Sequence, residues 1–365
     1  MKKLRTVSGV LSAALLLSVA LAGCATKTAD PKTPAPGASE QLDKELNLYN
    51  WAEYMPEEVL TKFEAETGVK VRLDTFSSNE ELYAKLKAGG SGYDLIFPSG
   101  YMVTALKREG LITAMDKAKL TNLKNLDPNV KDTANDPNYE YSVPYMWGMT
   151  GIAIDASQID LTKTPITSFK DLWKPELKNK LVMVDDSREL IGMTLKTLGY
   201  GLNETDPAKL EEAKVKLKEL QPNIKAYNSD SFLEMLQAKE VAGGIVYSGA
   251  IARGMLQDPN LKWIFPAEGV NLWMDNMAIP KDAPHQKTAL AFINFVLRPE
   301  ISKLLSDTFP YSNPNAEANK SLDEKLKNNP ATNPPVDQVK KGQWLADIND
   351  EAAQLYDRIF TEVKG

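Results

Sequence analysis

Trp273 and Asp275 stand two residues apart in an otherwise apolar run, Asn271 to Pro280 (NLWMDNMAIP). In an extended chain, residues i and i+2 point to the same side, so this spacing turns an aromatic ring and a carboxylate toward one cavity. Such a pair suits an organic cation. An ammonium gains about 0.5–2 kcal/mol over an aromatic face, more where water is excluded, and a carboxylate neutralises it directly. Taken alone, the same residues also fit a core tryptophan beside an aspartate in a turn or cap.

The elements that must position such a pair follow from periodicity. Leu46 and Leu48 alternate with Asn47 in a first strand; Pro56 opens a helix with Val59, Leu60 and Phe63 on one face, and Gly68 ends it. Val69, Val71 and Leu73 form a second strand. Ser78 and Glu81 have capping-box spacing before a helix carrying Leu82 and Leu86 and stopping at Gly89 and Gly90; Tyr93 to Phe97 is a third strand. Strands alternating with helices of about ten residues predict a parallel sheet in an α/β fold, with ligand bound beyond the carboxyl ends of the strands. Those ends carry Trp51, Glu53 and Tyr54 after the first strand, and Ser99 and Tyr101 after the third.

A second unit begins after Tyr145, Trp147 and Gly148, with Gly151 to Asp155 as the strand that leaves the first. Leu181 to Val184 is a strand ending in Asp185 and Asp186, followed by a helix with Leu190, Ile191, Thr194, Leu195 and Leu198 on one face. Asp186 and Glu189 have the spacing of a helix cap and its reciprocal partner, and a helix start opposes a cation unless its acids outweigh the dipole. Gly243 to Tyr247 is a buried strand ending in an aromatic, and Leu261 to Phe265 another. Asp282 to Leu297 reads as a helix ended by Pro299, Glu300 to Asp307 as a shorter one, Phe309 to Lys341 as mostly irregular, and Ile348 to Val363 as a closing amphipathic helix.

Composition bounds the rest. With 365 residues, 43% of them hydrophobic, the chain is long enough for two domains with proper cores. Lys2, Lys3 and Arg5 precede an apolar run, Val10 to Leu21, which small residues close: a secretion signal, expected over residues 1–23. Leu21-Ala22-Gly23-Cys24 resembles the bacterial lipobox, which implies a diacylglycerol on Cys24 and attachment to the membrane through it. Cys24 is the single cysteine, so no intramolecular disulfide can form. Residues 24–44, rich in Thr, Ala, Pro and Lys, read as the lipid-attachment position and a flexible tether. Removing the leader takes three of the 43 basic residues and none of the 49 acidic ones, leaving a net charge of −9. That acidity disfavours nucleic acid as a partner and favours cations.

Several pieces together resemble the polyamine-binding proteins, spermidine or putrescine type, that serve ABC transporters. They are YNWAEYMP (49–56), SNEELYAKLKAGGSGYDLIFPSGY (78–101), KLTNLKNLDP (119–128), YSVPYMWG (141–148), DLWKPELK (171–178), DDSREL (185–190), LWMDNMAIP (272–280) and INFVLRPE (293–300). The resemblance implies a two-lobed periplasmic-binding-protein fold of type II, each lobe a central sheet flanked by helices. Lobe I would comprise 45–150 with 274–312, and lobe II 151–273 with 313–365. It implies ligand contacts at Trp51, Glu53, Tyr54, Ser99, Tyr101, Asp186, Glu189, Tyr247, Trp273, Asp275 and Tyr311, a monomer without cofactor, and permease subunits in the membrane as partners. Three positions depart from the spermidine-binding pattern: Ala52 replaces a hydroxyl residue, Tyr247 a tryptophan and Leu345 a glutamine, which leaves the preferred polyamine open.

Two other classes remain at this point, beside an additional role as a lipoprotein whose ligand-bound form signals to a membrane receptor. A sugar or oligopeptide binder of the same architecture would mix amides and Arg with its acids. A glycoside hydrolase could use Glu189 and Asp275 as its carboxylate pair. Nothing else in the chain supports catalysis: the single histidine, His285, reads as a surface residue, and no His/Cys cluster could hold zinc.

Overall fold

The first strand is β1 (Glu45–Trp51), and Pro56 caps the helix that follows, α1 (Glu57–Thr67). Gly68 closes that helix at φ 74°, a left-handed turn that suits a residue without Cβ, and its N–H bonds the Glu64 carbonyl. Next come β2 (Lys70–Phe76), α2 (Asn79–Lys87), a two-residue β3 (Leu95–Ile96) and α3 (Gly100–Arg108). Ser78 caps α2 by accepting the Glu81 N–H, while the Glu81 carboxylate turns to Ser77 instead of closing a box.

The segment expected to start at Gly151 belongs to a 14-residue strand, β4 (Ser142–Asp155), buried at every position. Beyond it lie β5 (Leu181–Met183), α4 (Ser187–Thr197), α5 (Pro207–Leu220), β6 (Ile224–Tyr227), α6 (Phe232–Gln237), β7 (Gly243–Tyr247), α7 (Ser248–Met255), β8 (Leu261–Ile264) and β9 (Asn271–Ala278). Helices α8 (Gln286–Val296) and α9 (Pro299–Thr308), the strand β10 (Gln343–Trp344) and a C-terminal helix, Asp350–Lys364, complete the chain. This computed structural model describes residues 41–128, 130 and 135–365; the expected leader, Cys24 and the tether up to residue 40 lie outside them.

The strands join one mixed sheet in the order β2-β1-β3-β9-β4-β7-β5-β6, with β10 on β9 and β8 on β4. Parallel pairs occupy the two ends, β1 with β2 and β3, and β5 with β6 and β7. The long antiparallel pair β4–β9, registered Ser142↔Ala278 through Thr150↔Asn271, joins them. The parallel units foreseen in each half are therefore connected by hydrogen bonds. Apolar side chains separate into distinct clusters: Leu46, Phe63, Leu82 and Phe292 around the first end, and Leu181, Ile191, Leu217 and Tyr356 around the second. A third cluster, with Trp147, Met149, Leu272 and Met274, lies along the antiparallel pair. Each fully buried Leu, Ile or Phe stabilises by about 1.5–3 kcal/mol, so each end has a core of its own.

Three expectations need correction. α8 begins at Gln286, not Asp282, because Pro284 has no N–H and residues 281–285 form turns. The stretch 309–341 contains three short helices, Ala316–Lys320, Glu324–Lys327 and Val336–Lys341. His285 is half-buried rather than free at the surface: its Nδ1 lies 3.0 Å from the carboxylate of the fully buried Asp94.

Candidate functional site

β9 carries Trp273 and Asp275 through the middle of the sheet, and both side chains are buried. Beside Trp273, the adjacent strand β4 supplies Gly148 as its register partner. A Cβ there would lie 2.5 Å from the indole Cζ2, so the ring occupies space that a side chain would take. Gly249 stands in the same relation to Tyr311, with the ring 2.5 Å from where its Cβ would be. Two glycines on neighbouring elements thus let two rings lie close against backbone. Gly148→Ala is expected to displace Trp273, weakening ligand binding roughly tenfold and lowering stability by about 1–3 kcal/mol. Calorimetry and a denaturant midpoint would read both, and unchanged affinity would mean that the ring's position does not matter.

The rings meet edge to face in a continuous row. Tyr247 meets Trp273 at 5.8 Å between centroids, Trp273 meets Tyr311 at 5.3 Å, Tyr311 meets Tyr54 at 5.4 Å, and Tyr54 meets Tyr145 at 5.3 Å. Such pairs contribute about 0.5–1.5 kcal/mol each beyond area burial, and they fix the walls before any ligand arrives. Tyr145, which the sequence did not single out, orients Tyr54 by donating its hydroxyl to the Tyr54 carbonyl at 2.5 Å.

Asp275 anchors one end of this row. Ser99, the N-cap residue of α3, makes no cap hydrogen bond and instead donates its Oγ to Asp275 Oδ1 at 2.6 Å. Asn79, at the start of α2, holds Ser99 from behind: its Oδ1 accepts the Ser99 N–H at 3.1 Å, and its Nδ2 donates to Ser99 Oγ at 3.1 Å and to the Tyr101 hydroxyl at 3.0 Å. Burial pushes the Asp275 carboxyl up to about 7, against the opposing influence of the Ser99 and Tyr54 hydroxyls. The Tyr54 hydroxyl lies beside that carboxyl, yet its contact falls short of a full hydrogen bond.

The other end is built on the start of α4. Asp186 accepts the Glu189 N–H at 3.0 Å, and the reciprocal half of a capping box is missing because Glu189 reaches the other way, its Oε2 accepting from Asn271 Nδ2 at 2.8 Å. Burial raises both carboxyls, and the Asp186 charge raises Glu189 further. Arg188 sits between them in sequence, but its guanidinium lies over the rings of Tyr101 (5.1 Å) and Tyr356 (5.3 Å) and donates to Asn203 Oδ1 and the Ala346 carbonyl. It leaves the carboxylates open. Tyr101 donates to Glu80 Oε1 at 3.3 Å, so Glu80 adds an acid at the rim facing Asp186; it is exposed, and solvent screens most of their repulsion.

Not every expected residue is drawn in. Glu53 has a left-handed backbone, φ 47°, and a side chain 73% exposed, with Arg253 Nη1 at 3.9 Å. It stands at the mouth, where an ion pair contributes about 0–1 kcal/mol. Trp51 is half-buried on Phe76, and its indole N–H is taken by the Phe97 carbonyl at 2.9 Å. Leu345 is buried next to β9, its N–H on the Leu272 carbonyl. A surface concavity of about 320 Å³ between α1 and α9, lined by Glu58, Lys62, Glu66, Glu300, Ile301 and Leu304, shares no residue with the site and has no ring. Among the described residues there is no cluster that could hold a metal ion.

Residues 58–334 match the bacterial extracellular solute-binding protein family. The spermidine/putrescine-binding periplasmic protein of Salmonella typhimurium is 43% identical over 320 residues, spanning 87% of this chain and 91% of that one. The putrescine-binding periplasmic protein PotF of Escherichia coli is 31% identical and spans 90% and 92% of the two chains. Among solved structures, the spermidine/putrescine ABC transporter substrate-binding protein PotD of Streptococcus pneumoniae superposes with a TM-score of 0.77 at 37% identity, over 88% of this chain and 99% of that one. The TpPotD lipoprotein of Treponema pallidum gives a TM-score of 0.77 at 28% identity, over 87% and 99%.

Proposed function

The chain belongs to the bacterial extracellular solute-binding proteins, and from that premise we propose that it captures a polyamine, spermidine or putrescine, and delivers it to an ABC importer. One observation carries this reading. A continuous row of aromatic rings runs between two separate groups of carboxylates, Asp275 at one end and Asp186 with Glu189 at the other. A polyamine has the complementary pattern, methylenes between ammonium groups.

The magnitudes support the division of labour. Four methylenes buried against the rings contribute about 3 kcal/mol, whereas micromolar affinity requires about 8 kcal/mol. Charge recognition supplies the difference, and buried carboxylates can do so where exposed ones cannot. Trp273, Tyr247, Tyr101 and Tyr311 would take the methylenes, Asp275, Asp186 and Glu189 the ammonium groups, and Ser99 with Tyr54 would orient Asp275. Trp51 and Glu53 would guard the mouth.

The same reading extends to the chain as a whole. The clusters at the two ends of the sheet act as the cores of two lobes, 45–150 with 274–312 and 151–273 with 313–365, turning about the β4–β9 pair. Cys24 carries the lipid that holds the protein at the outer face of the cell membrane, and a monomer presents ligand to the permease subunits. Binding is the whole of its chemistry, since the relatives are named as binding proteins.

Calorimetric titration of the full chain with putrescine, spermidine and a neutral sugar, each at two salt concentrations, tests this. The expected result is micromolar or tighter binding of an amine that weakens as salt rises, with no heat from the sugar. Heat from the sugar alone would mean that the rings serve a neutral ligand.

A further inference from the structure

Behind the acidic end of the site lies a buried lysine to which ligand capture assigns no task. Lys196 is on α4, seven residues after Glu189 and so on the same helical face. Its Nζ donates to three neutral oxygens at the start of β9: the Gly269 carbonyl at 2.5 Å, the Val270 carbonyl at 3.1 Å and Asn271 Oδ1 at 3.3 Å. The last contact matters most. A side-chain amide can present either end to a neighbour, but an ammonium only donates, so it commits the amide oxygen to itself. The Asn271 NH2 must then face the opposite way, where it donates to Glu189 Oε2 at 2.8 Å and to the Glu189 carbonyl at 3.3 Å. Asn271 is fully buried, so neither end has water as a substitute partner.

We propose that Lys196 is a positioning residue of the polyamine site: through Asn271 its ammonium orients the Glu189 carboxyl toward the ligand and favours its charged form. The inference rests on the polyamine reading for its purpose, though not for its geometry. It accounts for a buried cation near a site that selects cations, because Lys196 acts on the far side of an amide from the ligand and never competes for the same face. It also ties the start of the strand that bears Trp273 to the helix that bears Asp186 and Glu189, so the acid pair and that ring are held in one frame.

The charged and titratable groups around this relay are Asp186 and Arg188 on α4, Glu268 before β9 and Tyr247 at the end of β7. Burial lowers the Lys196 ammonium to about 8, with Glu189 and then Glu268 opposing that fall. Burial raises Glu189, while the Asn271 amide pulls it down. Removing the lysine frees the amide to turn and takes a positive charge from behind the acid; both changes favour the protonated carboxyl.

The test is a carbon-13 NMR titration of the Glu189 carboxyl in the free full chain, its signal assigned with Glu189→Gln, together with spermidine titration at pH 7. In Lys196→Met the Glu189 midpoint is expected to rise by about one pH unit and spermidine to bind about tenfold more weakly. In the Glu189→Gln background, Lys196→Met should change affinity less than about twofold, since the pathway has lost its target. An unmoved midpoint overturns the proposal. So does an equal loss in both backgrounds, which would make Lys196 a packing residue alone. Should Lys196→Met not fold, Asn271→Ala cuts the same path from the other side and carries the same expectations. The NMR midpoint is read without ligand, so it stands or falls apart from whether amines bind.

Discussion

Asp275→Asn is expected to weaken spermidine binding about a hundredfold while making the empty protein more stable. The two effects have one origin. Asp275 is 5% exposed and lies beside the rings of Tyr54 and Tyr311, so its charge is unfavourable until an ammonium meets it. Removing one member of a buried, hydrogen-bonded charge pair commonly costs about 3 kcal/mol or more, which corresponds to about a hundredfold in affinity. Asparagine has nearly the same shape, and its Oδ1 can still accept from Ser99. Stability moves the other way. Because the folded carboxyl titrates near 7 and the unfolded one near 3.9, the native state holds its proton over that interval and loses stability as pH rises through it. The loss is complete above pH 7 and amounts to about 4 kcal/mol at most. Asp275→Asn does not ionise, so its thermal midpoint should exceed that of the parent at pH 8 by more than at pH 5. Equal midpoints at both pH values would place the Asp275 charge in water.

The second large effect is the response of binding to pH. An ammonium selects the ionised carboxylate, so ligand affinity should climb as pH passes through the raised value of Asp275, about 7, and of the acid pair Asp186 and Glu189, also raised. Each carboxyl that must ionise contributes up to tenfold per pH unit below its own midpoint. Between pH 5.5 and 7.5 the affinity for spermidine is expected to rise at least tenfold, with the ligand's amines predominantly protonated throughout because they titrate above this range. Titrations in two buffers of different ionisation enthalpy should show protons released on binding, and Asp275→Asn should flatten part of the slope. A flat profile would mean that the carboxylates are already ionised in the free protein, with their hydrogen bonds outweighing burial.

Much of the frame could be read from the chain because its signals are local. Gly68 after Phe63, Ser78 before Leu82, and the Ala352–Ile359–Val363 spacing of the last helix each act within one element, although there the buried stripe runs through Tyr356 and not the expected Leu355. Helix α5 was not anticipated, although it carries signals of the same kind, Asp206 before Pro207 and buried Leu210, Ala213, Leu217 and Leu220. The sheet's continuity was not legible. β4 is buried on both faces, so it shows no alternation from which its length could be counted, and Tyr145 and Trp147 look like loop aromatics until the strand is seen. The site divides in the same way. Trp273 and Asp275 announce themselves by spacing, whereas Asn79, Asn271 and Lys196 act on residues 20, 82 and 75 positions away and have no pattern of their own. Glu53 has the right residue type, but a left-handed backbone at the end of β1 turns it outward.

The place of β9 in the sheet also governs when the protein can form. β3 meets β9 at Ile96↔Ala278, and β9 meets β4 along its whole length, so no strand earlier than residue 271 links the two ends of the sheet. The second core waits longer still, for Tyr356, Ile359 and Val363. Contacts so distant in sequence make nucleation slow, because a long loop must close before any of them is rewarded. A chain emerging from its N-terminus therefore stays pliable through most of its synthesis. That delay matches the needs of a polypeptide whose leader is expected to direct it across a membrane before it folds.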